Sequence, residues 1–345
     1  MPDVQLKISG QVHRGWKSIR IRRSLEQIAD SFDLTLTDRW ENNQAPRDIK
    51  TGNECEIWID DIKVIVGYID KVLPTYDANN HSLNVSGRSK AGDLVDCSIP
   101  GKTFNQRTLL QIASELCKPF DISVSSDTDI GGPFKKQVLE DGQSIFEFIE
   151  SLARIRAVRI VSDVDGNITF VRTGKQKIKT PLKLGKNIKS ASGDFSSNEL
   201  FSEYVVSGQQ TGSDTTFGDA AAHTTSKIVS KHINRYRPTL ILVDNPADIA
   251  DCKKRGEWQR NTSFGRGRSV VYTVNSWYHD DGLWEPNKMV PVSDAYAGIN
   301  EDRLIPSVDL ILDEGGFRSE IQVVPKEAFN LIPLPEPKSE EGFGS

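Results

Sequence analysis

Apolar residues fall at every second position through much of this chain, and the strands that this spacing predicts crowd most closely between Val270 and Arg318. Val270, Tyr272 and Val274 alternate with small or polar neighbours, the period of a half-buried strand. Asp281-Gly282 supplies a tight turn, and the apolar run Met289 to Val292 can pair back on its neighbours. Ile305 to Leu312 alternates again as far as Gly315-Gly316, after which Ile321, Val323 and Val324 resume the pattern. Such a density of short antiparallel strands belongs to a small barrel or sandwich. The stretch predicts a wall rather than a reaction centre.

The same period opens the chain. Strands are expected at Val4 to Ile8, Trp16 to Ile21, Ser31 to Leu36, Glu54 to Ile59, Lys63 to Asp70 and Ser82 to Ser86. A closed or nearly closed barrel is the economical arrangement for them, because closure removes unpaired edges. Near Thr103 the period changes from two to that of a helix. Leu109, Leu110, Ile112, Ala113 and Leu116 make one apolar face that ends at Pro119. Ser144 with Glu147 forms a capping box ahead of the stripe Ile145, Phe148, Ile149 and Leu152. A hairpin follows, with Val158 to Val161 and Ile168 to Val171 flanking Asp165-Gly166-Asn167.

Lys175 to Asn198 is basic and polar and reads as a linker, and Leu200 to Ser207 as a strand. Residues 209–223 are rich in Gly, Ser, Thr and Ala and are expected to be a mobile loop. Asn245 before Pro246 is an N-cap signal for a helix running to about Arg260. The fold class expected is therefore α+β and predominantly β. Two small β-barrel domains, residues 1–98 and 178–330, are separated by a two-layer α+β insert at 99–177, with a disordered tail at 331–345.

Composition narrows the function. A length of 345 residues suits two or three domains. A formal net charge of -5 argues against a nucleic-acid backbone as the main partner. No signal peptide is visible, and no run of roughly twenty apolar residues offers a membrane span. Cys55, Cys97, Cys117 and Cys252 are widely separated and read as free thiols. The five histidines fall singly, without metal-ligand spacing. Asp163-Val164-Asp165-Gly166-Asn167 places its glycine wrongly for a calcium loop and is read as a turn. Gly265-Arg266-Gly267-Arg268 is either a phosphate cradle or, the preferred reading, a place where backbones pass closely. Arg20, Arg22 and Arg23 make either a solvated strand face or a subunit contact. No catalytic, metal or cofactor constellation emerges.

Three passages, in order and spacing, resemble the Mu-like prophage tail protein P family, the 43 kDa baseplate hub proteins of contractile-tailed phages. They are Gly15-Trp16 through Glu26 with Ser31-Phe32, then Gly67 to Asp70 leading through Pro74 and His81 to the run Gly87–Ser98, and finally Asp281 through Asn287. The resemblance implies a homotrimer whose paired β-barrel domains form a pseudo-sixfold ring. Such a ring is a structural virion component that joins the tail tube to the central spike, or puncturing, protein and contacts other baseplate proteins. It requires no cofactor and is assembled in the host cytoplasm. Under that reading Gly87 to Ser89 and Asp93 through Asp96 end the first barrel and bridge to the insert; Arg88 beside Asp93 and Asp96 reads first as a structural ion pair and otherwise, with Trp284, as a subunit interface. Other classes weighed are a tail-tip cell-wall hydrolase and a carbohydrate-binding tip, for which Trp277 and Trp284 could stack on sugar rings.

Overall fold

A computed structural model describes residues 2–37, 49–77, 81–208, 224–243 and 249–332. The loop expected at 209–223, the Asn245-Pro246 cap and the tail from Pro333 lie outside these residues.

Among the described residues the alternating strands of both β regions join into one fourteen-stranded sheet. Its path runs from Ile188–Phe195 through Arg268–Val274 and Gly316–Val324 to Ile299–Asp313. It then crosses to Ser18–Ser24, Ser31–Thr37, His81–Ser89, Ile62–Tyr76, Glu54–Ile59 and Val4–Ile8, ending on Gln11–His13. The path is open, so neither of the two closed barrels expected is traced by the hydrogen-bonded strands. One core serves both regions: Leu6, Ile21, Leu34 and Ile57 belong to the same buried cluster as Tyr272, Trp277, Ile305 and Ile321.

The strand that makes this fusion is Ile299–Asp313. Gly316–Val324 pairs with it on one side. On the other side it pairs first with Lys288–Asp294, from Ile299 to Leu304, and then with Ser18–Ser24, from Ser307 to Leu312. The exchange of partners falls at Ile305-Pro306, where the register also shifts against Gly316–Val324. Proline suits this point because it has no N–H for a ladder to lose. Its carbonyl is used, accepting the Leu25 N–H at 2.8 Å. Between Arg303 and Leu312 both faces of the strand are buried.

The insert keeps its own core. The helices Leu109–Cys117 and Ile145–Ile155 both start at complete capping boxes, Thr108 with Gln111 and Ser144 with Glu147. Their apolar faces close over Phe104, Phe134 and Phe170. Arg159–Ser162 and Ile168–Val171 form the expected hairpin. Asp163 shapes its turn, its Oδ1 accepting the N–H groups of Asp165 and Asn167 at 2.9 Å each.

Two regions differ from the sequence reading. Part of the supposed linker, Ile188–Phe195, is a strand paired to Arg268–Val274. As an edge strand exposed along almost its whole length, it carries no apolar alternation to betray it. The stretch expected as a linker also supplies the short strands Gln176–Lys177 and Leu182–Lys183, both paired in parallel with Lys288–Asp294. Glu203–Gly208 stays out of the main sheet and lies between Thr224–Val229 and Pro238–Leu242. The helix Ile249–Arg266 covers that small sheet, with Gly256 pressed so near Ile228 that a Cβ there would lie 2.5 Å from it.

Candidate functional site

The three arginines of the Ser18–Ser24 strand are split by the strand period between its two faces. Arg20 and Arg22 point the same way, towards Asp309 on the neighbouring Ile299–Asp313 strand. Arg20 Nε donates to Asp309 Oδ1 at 2.9 Å, and Arg22 Nη1 lies 3.5 Å from Oδ2. The Asp309 hydrogen bond holds the Arg20 guanidinium above its ordinary value. Arg23, on the opposite face, donates from Nε to Asp30 Oδ2 at 2.9 Å, with Glu285 3.9 Å away. Burial works against its charge, but Asp30 and Glu285 more than offset this and raise its value. Arg20 and Arg22 remain partly solvated while bridging to Asp309 of the second β region, and buried Arg23 joins Asp30 of its own region with Glu285 of the second nearby.

Beside the Arg23–Asp30 pair lies a cleft of about 240 Å³ where all three parts of the chain meet. The β regions contribute Leu25, Glu285 and Lys288, and the insert contributes Asp127 and Ser162. Its charges are mixed. Among the described residues no group of three or more His, Cys, Asp or Glu is arranged to hold a metal. Gly265 and Gly267 serve close packing: a Cβ would come within 2.5 Å of the Ala328 nitrogen and 2.4 Å of the Ser196 oxygen respectively.

Arg88 sits where the His81–Ser89 strand runs into the short helix Gly92–Asp96. Its Nε donates to Asp70 Oδ2 at 2.8 Å and its Nη2 to Asp96 Oδ2 at 2.6 Å. These bonds raise the arginine, and the same contact lowers Asp96. Asp93 is raised by burial, with Arg88 acting in the opposite sense. The glycines around this node are required by its geometry. A Cβ on Gly67 would lie 1.9 Å from the Arg88 carbonyl oxygen, and one on Gly87 2.0 Å from that of Tyr68. The node is partly open, with 35% of the Arg88 side chain and 52% of that of Asp96 exposed.

Trp284 is placed elsewhere. It is 1% exposed within the single chain and lies in the shared core next to Trp277, so its side chain offers no surface to a second subunit. Trp277 anchors that core, its Nε1 donating to the carbonyls of Ile311 at 3.1 Å and Arg318 at 2.9 Å. The Trp284 main-chain N–H donates to the Trp277 carbonyl at 3.0 Å. Neither indole is available for stacking on a sugar. Asp70 and Asp309 are the partners that sequence reasoning missed, and only the pairing of distant strands identifies them.

Asp309 and Asp30 set against the seam arginines, Gly67 and Gly87 where strands approach most closely, and Trp277 and Trp284 turned inward describe a scaffold. Family models match the chain in three places: "Mu phage baseplate assembly protein GpP-like, N-terminal" over residues 3–89, "Baseplate hub protein gp44-like, second domain" over 91–172, and "Mu phage baseplate assembly protein GpP, fourth domain" over 248–332. The baseplate hub protein gp44 of Escherichia phage Mu is 28% identical over 347 residues, covering 96% of this chain and 89% of that protein. The 43 kDa tail protein of prophage MuSo2 from Shewanella oneidensis superposes with a TM-score of 0.86 at 36% identity, covering 96% of this chain and all of that one. The tail protein from Neisseria meningitidis MC58 shares the fold, with a TM-score of 0.78, 22% identity and coverage of 95% and 99%. The chain therefore belongs to the Mu-like family of 43 kDa tail proteins and is a structural hub protein of the phage tail baseplate.

Proposed function

We propose that three copies of this chain form a ring that joins the tail tube to the central spike. Residues 1–98 and 178–330 act as its two β units and 99–177 as the insert between them. The observation that carries this reading is the open sheet. Two β regions are fused through one buried strand, yet the path ends at Ile188–Phe195, exposed along almost its whole length. An exposed edge invites pairing unless something covers it, and a closed cyclic assembly covers every such edge alike. In this reading the partly open node of Arg88, Asp93 and Asp96 lies in the contact between copies, where its charges would fix the register of the subunits. Trp284 takes no part in that contact.

A hub works by contact with its neighbours, and the tube, the spike and other baseplate proteins are its partners in this reading. No catalysis is asked of the ring. Light scattering on the purified protein tests it: a trimer of three 38.4 kDa chains has a mass of about 115 kDa. A monomer at micromolar concentration overturns the ring.

A further inference from the structure

Two clefts of about 350 and 330 Å³ adjoin where the insert meets the segment that follows Gly316–Val324. Arg159 and Leu331 line both, so they form one double groove. Each lobe is within the size range of ordinary ligand sites, at the domain junction where such sites concentrate. The walls come from the Ser18–Ser24 to Ser31–Thr37 connection, the insert, the long helix Ile249–Arg266 and the segment after Gly316–Val324.

Its charge runs against that of the chain. The protein carries a net -5, yet Arg159, Arg172, Arg255, Arg266 and Lys326 all line the groove, and among the described residues none of them has a carboxylate at ion-pair distance. Of the two acids present, Glu150 already accepts from Arg154 at 2.9 Å, which leaves Glu26 against five cations. Arg159 is the most confined of them. It lies 4.7 Å over the Phe329 ring, and burial together with the nearby Arg266 pulls it down to about 10. Arg255 stacks on Trp258 at 4.4 Å. Between these cations the floor is apolar, formed by Ile28, Phe146, Val158 and Ile160.

Grouped, partly desolvated guanidinium groups repel one another unless an anion lies between them, and their planar forks match carboxylates. The charges are spread along two lobes over an apolar floor. That layout suits an extended segment bearing both acidic and aliphatic side chains better than a compact anion. We propose that the double groove is the docking site for an acidic, leucine-bearing segment of another baseplate protein. The proposal rests on the hub reading only for where the partner comes from, and it does not depend on the ring being a trimer.

The test is fluorescence anisotropy with a labelled synthetic peptide of leucine and glutamate, titrated with the full chain. The expected result is binding that weakens with salt and falls by about tenfold or more when glutamine replaces glutamate. The same loss is expected in the double variant Arg255→Gln with Arg266→Gln. Lys326→Gln, an exposed change in the second lobe, should weaken binding to a lesser extent and guards against misfolding of the double variant. Equal binding of the glutamate and glutamine peptides overturns the proposal, as does full binding by folded variants. Binding that emerges only after residues 333–345 are removed overturns it in favour of the chain's own acidic stretch. None of these readouts moves with the oligomeric mass, so the ring and the groove stand or fall separately.

Discussion

Along the seam between the two β regions each arginine faces a carboxylate of its own chain, whereas around the double groove beside the insert five cations share the unengaged Glu26. The side chain is the same and the energetics are opposite. At the seam, charge is neutralised within the fold, so removing a partner harms the fold. At the groove charge is left in excess, so removing a cation relieves repulsion and costs the fold no ion pair, only stacking such as that of Arg255 on Trp258. Guanidinium groups that stabilise a protein and those held ready for a partner are told apart by what stands opposite them.

The sharpest break in this contrast is Asp30→Ala, which strands the buried Arg23 without its main counter-charge. A loss of about 3–5 kcal/mol in urea unfolding is expected, and a loss below about 1 kcal/mol would mean that the seam pairs are incidental. Asp309→Ala comes next. Arg20 and Arg22 are more exposed than Arg23 and can turn to water, so about 1–3 kcal/mol is expected from the same measurement.

A third effect depends on pH. The Arg88 hydrogen bond lowers Asp96, so its contribution is present above the ordinary carboxylate value of about 4 and is lost as pH falls through the lower folded value. Wild type and Arg88→Gln should therefore differ in melting temperature at neutral pH and converge in acid. A gap that widened on acidification would exclude Asp96 as the partner that matters. The smallest effect is at the groove: Arg255→Gln with Arg266→Gln should change unfolding stability by no more than about 0.5 kcal/mol, or raise it slightly.

What could be read from the chain was whatever depends on near neighbours. Ser144, Glu147 and the stripe Ile145, Phe148, Ile149 and Leu152 lie within one helix, so a single stretch states its cap and its buried face. Arg88 and Asp96 are eight positions apart and could be paired from the residues alone. Asp309 is 289 positions from Arg20, and nothing in either segment announces the other. The alternation of Ile305 to Leu312 suggested one wet face, because Ser307 and Asp309 look like solvent positions. Both are buried, and their partners, Gln322 for Ser307 and the arginines for Asp309, come from neighbouring strands. Trp284 showed the opposite difficulty: a large aromatic suits a core and an interface equally, and only its surroundings decide. The groove was illegible for a similar reason, its cations arriving from separate elements around Arg159, Arg172, Arg255 and Lys326.

The strand shared by both β regions has a mechanical consequence. Ile299–Asp313 carries one partner along its first part and another along its second, with no loop between the two. A pull on one region would reach the other along this covalent backbone, and the flanking ladders would be loaded in shear, many bonds together rather than one after another. A hinge at Pro306 is opposed by Gly316–Val324, which pairs with the strand on both sides of that point and so splints the two halves together.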